Sequence, residues 1–444
     1  MSSQTPTDGS AERPAATPFD THSRKWWICG LLLLATTLNY MDRMALNQTS
    51  VRISQYFSMS NTDYGLLEGW FSFAFAIGAL VMGFVVDRGN VRLIYPAIVL
   101  GWSIAGFATG LAESFAVLLA CRFALGLFEA GNWPCAVVTV RRVLPAEQRS
   151  FGNGLFTSGT ALGAIITPII VLACLSYADP DSGVRAALSS VVGGAAVEAY
   201  PVSPRAWQLP FRVIGVFGLA WIVVWFLVVR NRDIRSSAAA VAKPSESFRV
   251  VLADRRFWVL LVMVLAINSP WHSLRVWLPK FLQSGRGYSE SEMMAFSSLY
   301  YLFADMGAIV VGLVTIRLAR RTSVYRARMI VFAFCSVLTL LTILVATLPK
   351  SPLLLAVLLL VSFGTLGLFP TYFAFSQDLS ARHQGKVTGT LGCLNALYLW
   401  LLFPLQGLLI DRTQSYGLAI AISGALPMLS LAAMLAFWRT KAAA

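Results

Sequence analysis

Long apolar runs of about 20 residues alternate with short polar stretches along most of the chain. A helix needs about 20 apolar residues to cross a bilayer, whereas a membrane β-strand needs only about ten residues of alternating polarity. The runs therefore predict an all-α polytopic membrane protein. We predict twelve transmembrane helices, at 26–47, 63–86, 93–111, 115–140, 150–176, 208–230, 257–281, 293–316, 328–348, 352–377, 388–410 and 416–438.

The polar, basic stretch 231–256 separates six of these segments from the other six. We therefore predict an N-terminal bundle at 25–230, a cytoplasmic linker at 231–256 and a C-terminal bundle at 257–438. The halves share a weak repeat, since Gly83-Phe-Val-Val-Asp87-Arg88 closes the second segment and Gly312-Leu-Val-Thr-Ile316-Arg317 closes the eighth. Such a repeat indicates parallel bundles related by an axis along the membrane normal.

Three further stretches lie outside the apolar runs. Residues 1–24 are rich in Ser, Thr, Ala and Pro and have no basic region before a cleavage site, which predicts a disordered cytoplasmic tail rather than a signal peptide. Residues 439–444 form a second short tail. Residues 177–206 show little periodicity, so we interpret them as a long outer insertion that acts as a passive loop.

The basic residues are placed asymmetrically between the two sides of the membrane. With the N-terminus inside, 24 of the 35 Lys and Arg residues fall in cytoplasmic stretches, 8 in outer loops and 3 within apolar segments. This excess predicts that both termini are cytoplasmic. The net charge of +14 is therefore a topology signal, and we expect the lipid bilayer rather than nucleic acid as the partner.

The composition supports this class and excludes several others. The chain is 57% hydrophobic and 13% charged, where a soluble protein averages about a quarter charged. Its six cysteines form no CxxC or Cys/His cluster, so we expect no metal site, no disulfide framework and no cofactor. No nucleophile–base set suggests an enzyme or an intramembrane sensor, and no segment carries a filter-like loop typical of channels.

Four charged residues lie at membrane depth. Asp42 and Arg43 are adjacent in the first apolar run, and each costs about 2.5–3.5 kcal/mol at a helix centre. Arg122 and Glu129 are seven residues apart in the fourth run, which places them on one helical face. The four charges sum to zero. They indicate either a buried ion-pair network that only stabilises the bundle or a transport pathway, and we favour the pathway.

A second motif, Gly83 to Arg92, closes the second segment. Gly83 permits close approach of a neighbouring helix, and Asp87 is placed to cap a helix or pair with an arginine. We interpret the motif as a gate formed by Gly83, Asp87, Arg88 and Arg92. The alternative is an ordinary topology signal followed by a tight turn.

The C-terminal half contributes further polar candidates. His272 is a candidate proton carrier, although a simple hydrogen-bonding role is the alternative. Arg275 is a candidate partner for Asp305, which lies inside the eighth segment. Neutral polar side chains such as Tyr372, Ser376 and Asn395 can form hydrogen bonds with hydroxyl groups of a ligand. Alternatively, they form hydrogen bonds between helices.

Several motifs carry a resemblance to a known family. They are Asn39-Tyr40-x-Asp42-Arg43, Gly83 to Arg92, Arg122-x3-Gly126-x2-Glu129-Ala130-Gly131-Asn132-x-Pro134, Ser158-Gly159 with Gly163, Trp277-Leu278-Pro279-Lys280 and Gln384-Gly385-Lys386-Val387-Thr388-Gly389. With twelve segments in two sixes, residues 26–438 resemble the major facilitator superfamily. More narrowly, they resemble its anion:cation symporter family, which includes hexuronate, galactonate and glucarate transporters.

The resemblance implies uptake of a small organic anion, most simply a sugar acid, coupled to protons by alternating access. It implies a monomer in the bacterial inner membrane. Asp42 and Glu129 match the proton-coupling acids, Arg43 the substrate arginine, and Arg122 the partner of the fourth-helix acid. The expected substrate-binding residues are Tyr40, Arg43, Phe75, Thr160, Tyr372, Phe375, Ser376 and Asn395.

The resemblance is incomplete at the gate. Asn90 replaces the usual motif glycine, and Ile316 replaces the acid of the second copy. We therefore expect the gating salt bridges to differ between the two halves. A proton-coupled exporter of lipophilic drugs is the competing function. It would need a large apolar pocket but not Arg43.

Overall fold

The computed structural model describes residues 18–145, 148–178, 205–234, 248–379 and 384–438. Within these residues the regular structure is helical, because apolar side chains next to lipid require every backbone polar group to be bonded within its own segment. The helices are α1 (Pro18–Gln48), α2 (Ser50–Tyr56), α3 (Asn61–Arg88), α4 (Val91–Thr109), α5 (Phe115–Glu129), α6 (Asn132–Val143), α7 (Arg149–Ala178), α8 (Gln208–Val228), α9 (Asn231–Ile234), α10 (Arg249–Ala253), α11 (Arg255–Lys280), α12 (Glu290–Ala319), α13 (Val324–Leu340), α14 (Thr342–Thr347), α15 (Pro352–Gly367), α16 (Phe369–Leu379), α17 (Gln384–Thr413) and α18 (Tyr416–Phe437).

Eleven helical stretches of the described chain are long and apolar enough to cross a membrane. They coincide with the second to twelfth predicted segments. The first predicted segment lies within α1, which is not among the eleven and which carries Asp42 and Arg43. Helix α1 also begins at Pro18, inside the predicted tail 1–24, and this corrects that boundary.

Two other predicted stretches are only partly described. Residues 179–204 of the outer insertion and 235–247 of the linker lie outside the described residues, as do 1–17 and 439–444. The described parts of the linker contain the short helices α9 and α10. The roles of the insertion and of the tails stay predictions.

Helix breaks fall where the sequence carries small residues. The fourth crossing is interrupted at Ala130–Gly131, so that α5 ends at Glu129 and α6 begins at Asn132. The Asn132 amide donates to Thr36 at 3.2 Å and accepts from Tyr95 at 2.6 Å, which ties α6 to α1 and α4. The break places the Glu129 side chain inside the N-terminal half, where it is fully buried.

The two halves touch mainly at one end of the bundle. We call this the closed end; it carries the connections 57–60, 281–289 and 414–415. A Cβ added at Gly65 would lie 2.4 Å from the carbonyl oxygen of Phe403, so the backbones of α3 and α17 are in direct contact there. The opposite end, with the connections 89–90 and 320–323, is called the open end.

Polar contacts between the halves reinforce the closed end. The Asp411 carboxylate accepts hydrogen bonds from the backbone N–H groups of Asn61 and Thr62 at 3.0 and 2.8 Å, and so caps the start of α3. Arg52 donates two hydrogen bonds to Glu290, at 2.7 and 2.6 Å. The paired donors and acceptors make a planar, charge-assisted contact across the interface.

Candidate functional site

A cavity of about 630 Å³ lies between the halves. It takes residues from the first half of α7 and from the last half of α12, which places it between the middle of the bundle and the open end. The described residues that line it are Tyr40, Arg43, Trp133, Gly154, Thr157, Ser158, Thr160, Ala161, Ala164, Asn268, Trp271, His272, Tyr301, Asp305, Ala308, Ile309, Leu366, Phe369, Pro370 and Phe373.

Arg43 joins this cavity to a buried acid. Its Nε donates to Glu129 Oε2 at 2.5 Å, and the guanidinium lies 4.7 Å from the centre of the Phe75 ring and 5.8 Å from that of Tyr40. Helix α1 is held against α7 because Gly163 leaves room for the Tyr40 side chain. Arg43, Tyr40, Phe75 and Glu129 therefore lie together. Phe75, which was predicted to bind substrate, lies behind the guanidinium and not in the cavity wall.

A second cluster centres on Glu68, a fully buried acid in α3 that the sequence reading did not select. Arg122 donates to one carboxylate oxygen at 3.2 Å and Arg275 donates to the other at 3.3 Å. The Asn47 side chain also donates to Glu68 at 3.1 Å and accepts from Arg275 at 3.3 Å. Because Arg275 belongs to the C-terminal half, this cluster joins the two halves.

The pairing corrects two predictions. Arg122 was expected to support Glu129, but it pairs with Glu68, while Glu129 pairs with Arg43. Arg275 was expected to pair with Asp305, but it also pairs with Glu68. The signal for Glu68 was present, because it is an acid within the apolar run that follows Tyr64. Helical spacing defines a face, not the neighbour that the face meets, and so the partner was not predicted.

Asp42 is buried but points away from Arg43. Its Oδ1 lies 2.7 Å from where a Cβ would stand on Gly106 in α4, and it has no hydrogen-bond partner among the described residues. Residue 106 must therefore be small. Oδ1 of Asp42 therefore has no partner among the described residues to support a negative charge, whereas Oε2 of Glu129 is paired with Arg43.

The predicted substrate residues of the C-terminal half lie away from the cavity. Tyr372, Phe375 and Ser376 are buried in α16, and the Phe375 ring packs 5.0 Å from that of Trp438. The cavity instead receives Phe369, Pro370 and Phe373 from this part of the chain. The structure thus corrects the choice of face on α16, because neighbouring helical residues point about 100° apart.

Other candidates divide between the cavity wall and its surroundings. Thr160 lines the cavity, and its hydroxyl donates to the Thr157 carbonyl at 2.9 Å. Asn395 does not line it, and this corrects its predicted position. His272 and Asp305 both line the cavity on the C-terminal side. The His272 Nδ1 is buried and has no hydrogen-bond partner among the described residues.

The predicted gate lies at the open end, and the contacts described for Arg88 and Arg92 are with the N-terminal half. Arg92 donates to the Val229 carbonyl at 2.8 Å, and Arg88 lies over the Phe84 ring at 5.8 Å. A Cβ on Gly83 would meet no atom within 4 Å, so the predicted close approach of a helix is wrong for this conformation. The side chain of Asp87 lies outside the described residues.

The described part of the chain contains no group of three His, Cys, Asp or Glu side chains placed to hold a metal ion. Opposite charges meet around the cavity. Arg43, Arg122 and Arg275 oppose Asp42, Glu68 and Glu129, while Asp305 adds an acid to the cavity wall and Lys280 is a further buried cation. A site built in this way can bind a small anion when one of its acids accepts a proton.

Comparison with known proteins identifies the family. A model of the Major Facilitator Superfamily matches residues 32–404. The chain belongs to the Major Facilitator Superfamily. It is accordingly a multi-pass integral membrane protein of a transporter family, in keeping with the eleven long apolar helices found among the described residues.

Within the aligned regions, the chain shares about a quarter of its residues with individual relatives of known name. It is 23% identical to a galacturonate transporter of Dickeya chrysanthemi, over 66% of this chain and 82% of that protein. It is 26% identical to a hexuronate transporter of Bacillus subtilis strain 168, over 92% and 93% of the two chains. A crystal structure of a bacterial homologue of the human lysosomal transporter Spinster, inward-facing and unoccupied, matches with a TM-score of 0.74 at 20% identity, over 93% and 95% of the two chains. This likeness shows the fold alone.

Proposed function

We propose that the chain is a proton-coupled transporter that takes up a sugar acid by alternating access. The observation that carries the proposal is the contact of Arg43 with Glu129, because it couples the cavity's arginine to a buried acid. An arginine presents a planar fork of donors that suits a carboxylate. The names of the relatives, a galacturonate and a hexuronate transporter, support an acidic sugar as the substrate.

Orientation follows from the loop charges. If α1 also crosses the membrane, the chain crosses it twelve times and both termini are cytoplasmic. The open end then faces the cytoplasm and the closed end faces outward. The conformation described here then corresponds to an inward-facing state. Uptake requires a second state in which the closed-end contacts break and the open end closes.

Coupling arises from competition for the Arg43 guanidinium. While Glu129 is ionised, it neutralises Arg43, and an incoming carboxylate gains little. Protonation of Glu129 leaves Arg43 without a counter-charge, so a substrate carboxylate can replace it. Proton and anion then strengthen each other's binding by the same factor, as linkage requires.

Asp42 supplies a second proton-binding site in this proposal. Its carboxylate has no hydrogen-bonded partner at Oδ1 among the described residues, so its charged form is poorly supported. If two protons accompany one monovalent anion, one net positive charge moves inward. A membrane potential then adds about 2.3 kcal/mol per 100 mV to the driving force.

Glu129→Gln tests the coupling in liposomes. We expect proton-driven net uptake of a sugar acid to be lost while exchange of substrate across the membrane continues, because the neutral amide leaves Arg43 permanently available. Glu113→Gln is the matched control, since this exposed acid of the same half pairs with Arg205 away from the cavity. Proton-driven uptake that persists unchanged in Glu129→Gln would contradict the role given to Glu129.

The aromatic side chains of the cavity favour export of lipophilic cargo as the second candidate function. Arg43→Lys distinguishes the two functions. A lysine keeps the charge but cannot form the planar fork, so we expect sugar-acid binding to fall by at least about tenfold, or about 1.4 kcal/mol. Unchanged sugar-acid binding together with transport of neutral lipophilic compounds would favour export.

A further inference from the structure

The cavity contains a single strongly basic side chain. Among the described residues that line it, Arg43 is the only arginine or lysine. The other buried arginines of the site, Arg122 and Arg275, pair with Glu68 and do not line the cavity. One carboxylate can therefore find a guanidinium, whereas a second carboxylate on the same molecule finds no comparable partner.

Polar side chains of α7 and α11 add hydrogen-bond acceptors to the cavity wall, and we call this part the acceptor wall. The hydroxyls of Thr157, Ser158 and Thr160 donate to backbone carbonyls of the preceding turn, at 2.9, 2.7 and 2.9 Å. The Asn268 amide nitrogen likewise donates to a carbonyl of its own helix at 2.8 Å. Each hydroxyl has one hydrogen, so the three hydroxyls meet a ligand with their oxygen lone pairs, whereas Asn268 offers its amide oxygen and its second N–H.

Asp305 adds a carboxylate to this acceptor wall. It is partly buried, it is the one acidic residue among the described residues lining the cavity, and Tyr301 lies one turn before it on α12. No salt bridge to Asp305 is present in the described part of the chain. When Asp305 is ionised, its carboxylate only accepts hydrogen bonds and repels a second carboxylate nearby.

We propose that the cavity selects a polyhydroxy monocarboxylate and rejects the dicarboxylate with the same carbon skeleton, with Asp305 as the discriminating residue. The carboxylate of the substrate binds Arg43, and its hydroxyls donate to Asp305 and to the neighbouring acceptor oxygens. A second carboxylate has no hydrogen to donate and meets a like charge. The inference rests on the proposed function and narrows its substrate class.

Binding of galactonate and galactarate to the purified full-length protein tests the inference. The two acids differ only in whether the far end is a hydroxymethyl group or a carboxylate. By isothermal titration at one pH, we expect the wild type to prefer galactonate by about tenfold or more, because the charge of Asp305 repels a second carboxylate in the same cavity. Asp305→Asn should reduce this preference by about tenfold, since the amide is neutral and can donate.

Two variants control for indirect effects. Asp305→Glu keeps the charge and should keep the preference for galactonate. Glu292→Gln removes an acid from the exposed start of the same helix, where it pairs with Lys350, and should also leave the preference unchanged. Hexanoate, which has a carboxylate but no hydroxyls, should bind at least about tenfold more weakly than galactonate.

The outcomes separate this inference from the proposed function. If the wild type binds neither sugar acid, the proposed function itself is contradicted. If it binds both with an affinity ratio that Asp305→Asn does not change, only the role of Asp305 is overturned. If hexanoate binds as tightly as galactonate, the acceptor wall does not recognise hydroxyls, and the selection of a polyhydroxy acid is overturned.

Discussion

The two ends of the bundle use their charged side chains differently. At the closed end, polar contacts cross between the halves: Arg52 with Glu290, Asp411 with the start of α3, and Arg275 with Glu68. At the open end, the described contacts stay within one half. Arg92 binds a carbonyl at the end of α8, and Arg328 pairs with Asp378 between α13 and α16.

This difference shows what opening must break. In the proposed alternating-access cycle the closed end opens, so each contact between the halves has to be lost and its groups rehydrated or paired again. Contacts within a half can survive that motion. The equilibrium between states therefore depends on the closed-end pairs, and a change there shifts populations by its differential effect on the two states.

One distance reports the state of the closed end. Gln55 lies near the end of α2 and Arg412 near the end of α17, and both are exposed. Spin labels at these positions would report the separation of the halves at the closed end. The variants that follow are ordered from the largest expected effect to the smallest.

Glu68→Gln should have the largest effect. It leaves Arg122 and Arg275 buried without their shared counter-charge, which costs about 3–5 kcal/mol for a broken buried ion pair. We expect a marked fall in thermal stability in detergent, with partial recovery in the double variant Glu68→Gln/Arg275→Gln. Glu113→Gln is the exposed control in the same half and should change little. Equal stability of Glu68→Gln and wild type would mean that the two arginines do not depend on Glu68.

Asp411→Ala should have the next largest effect. It removes the carboxylate that caps α3 from the other half, worth about 2 kcal/mol, or roughly a thirtyfold change in population. We expect a larger fraction of long closed-end distances. Asp63→Ala is the matched control, because Asp63 caps the same helix from within its own half. The same lengthening in both variants would refute the assignment of Asp411 as a bond between the halves.

Glu290→Gln should have a smaller effect. It weakens the paired contact with Arg52, which is partly exposed and therefore worth at most about 1 kcal/mol. The fraction of long closed-end distances should rise slightly at low salt and converge with wild type at high salt, because ions screen an exposed pair. An effect that is independent of salt would indicate packing rather than charge.

Arg92→Gln should have the smallest effect on the closed end. Arg92 bonds to the Val229 carbonyl within its own half, and the halves do not meet through it in this conformation. We expect the closed-end distance distribution to match that of wild type. A shift as large as that of Glu290→Gln would show that the open end already carries contacts that oppose the closed end.

Much of the fold was predictable because lipid imposes simple rules on a chain. Apolar runs of helical length must form helices, and eleven of the twelve predicted segments coincide with helices that meet the length and apolarity for crossing. The expensive charges at Arg43 and Glu129 marked the site for the same reason, and these two side chains pair directly. Glu68 and Arg275 were harder to pair, because 207 residues separate them.

The sequence by itself determined the class of protein and marked Asp42, Arg43, Arg122 and Glu129 as charges at membrane depth, because both conclusions depend on local hydropathy and residue type. Only the tertiary structure decided which charges meet. It paired Arg122 with Glu68, set Asp42 against Gly106 and turned Tyr372 away from the cavity. The physical reason is that helical periodicity fixes which side chains share a face, whereas packing between helices fixes what that face contacts.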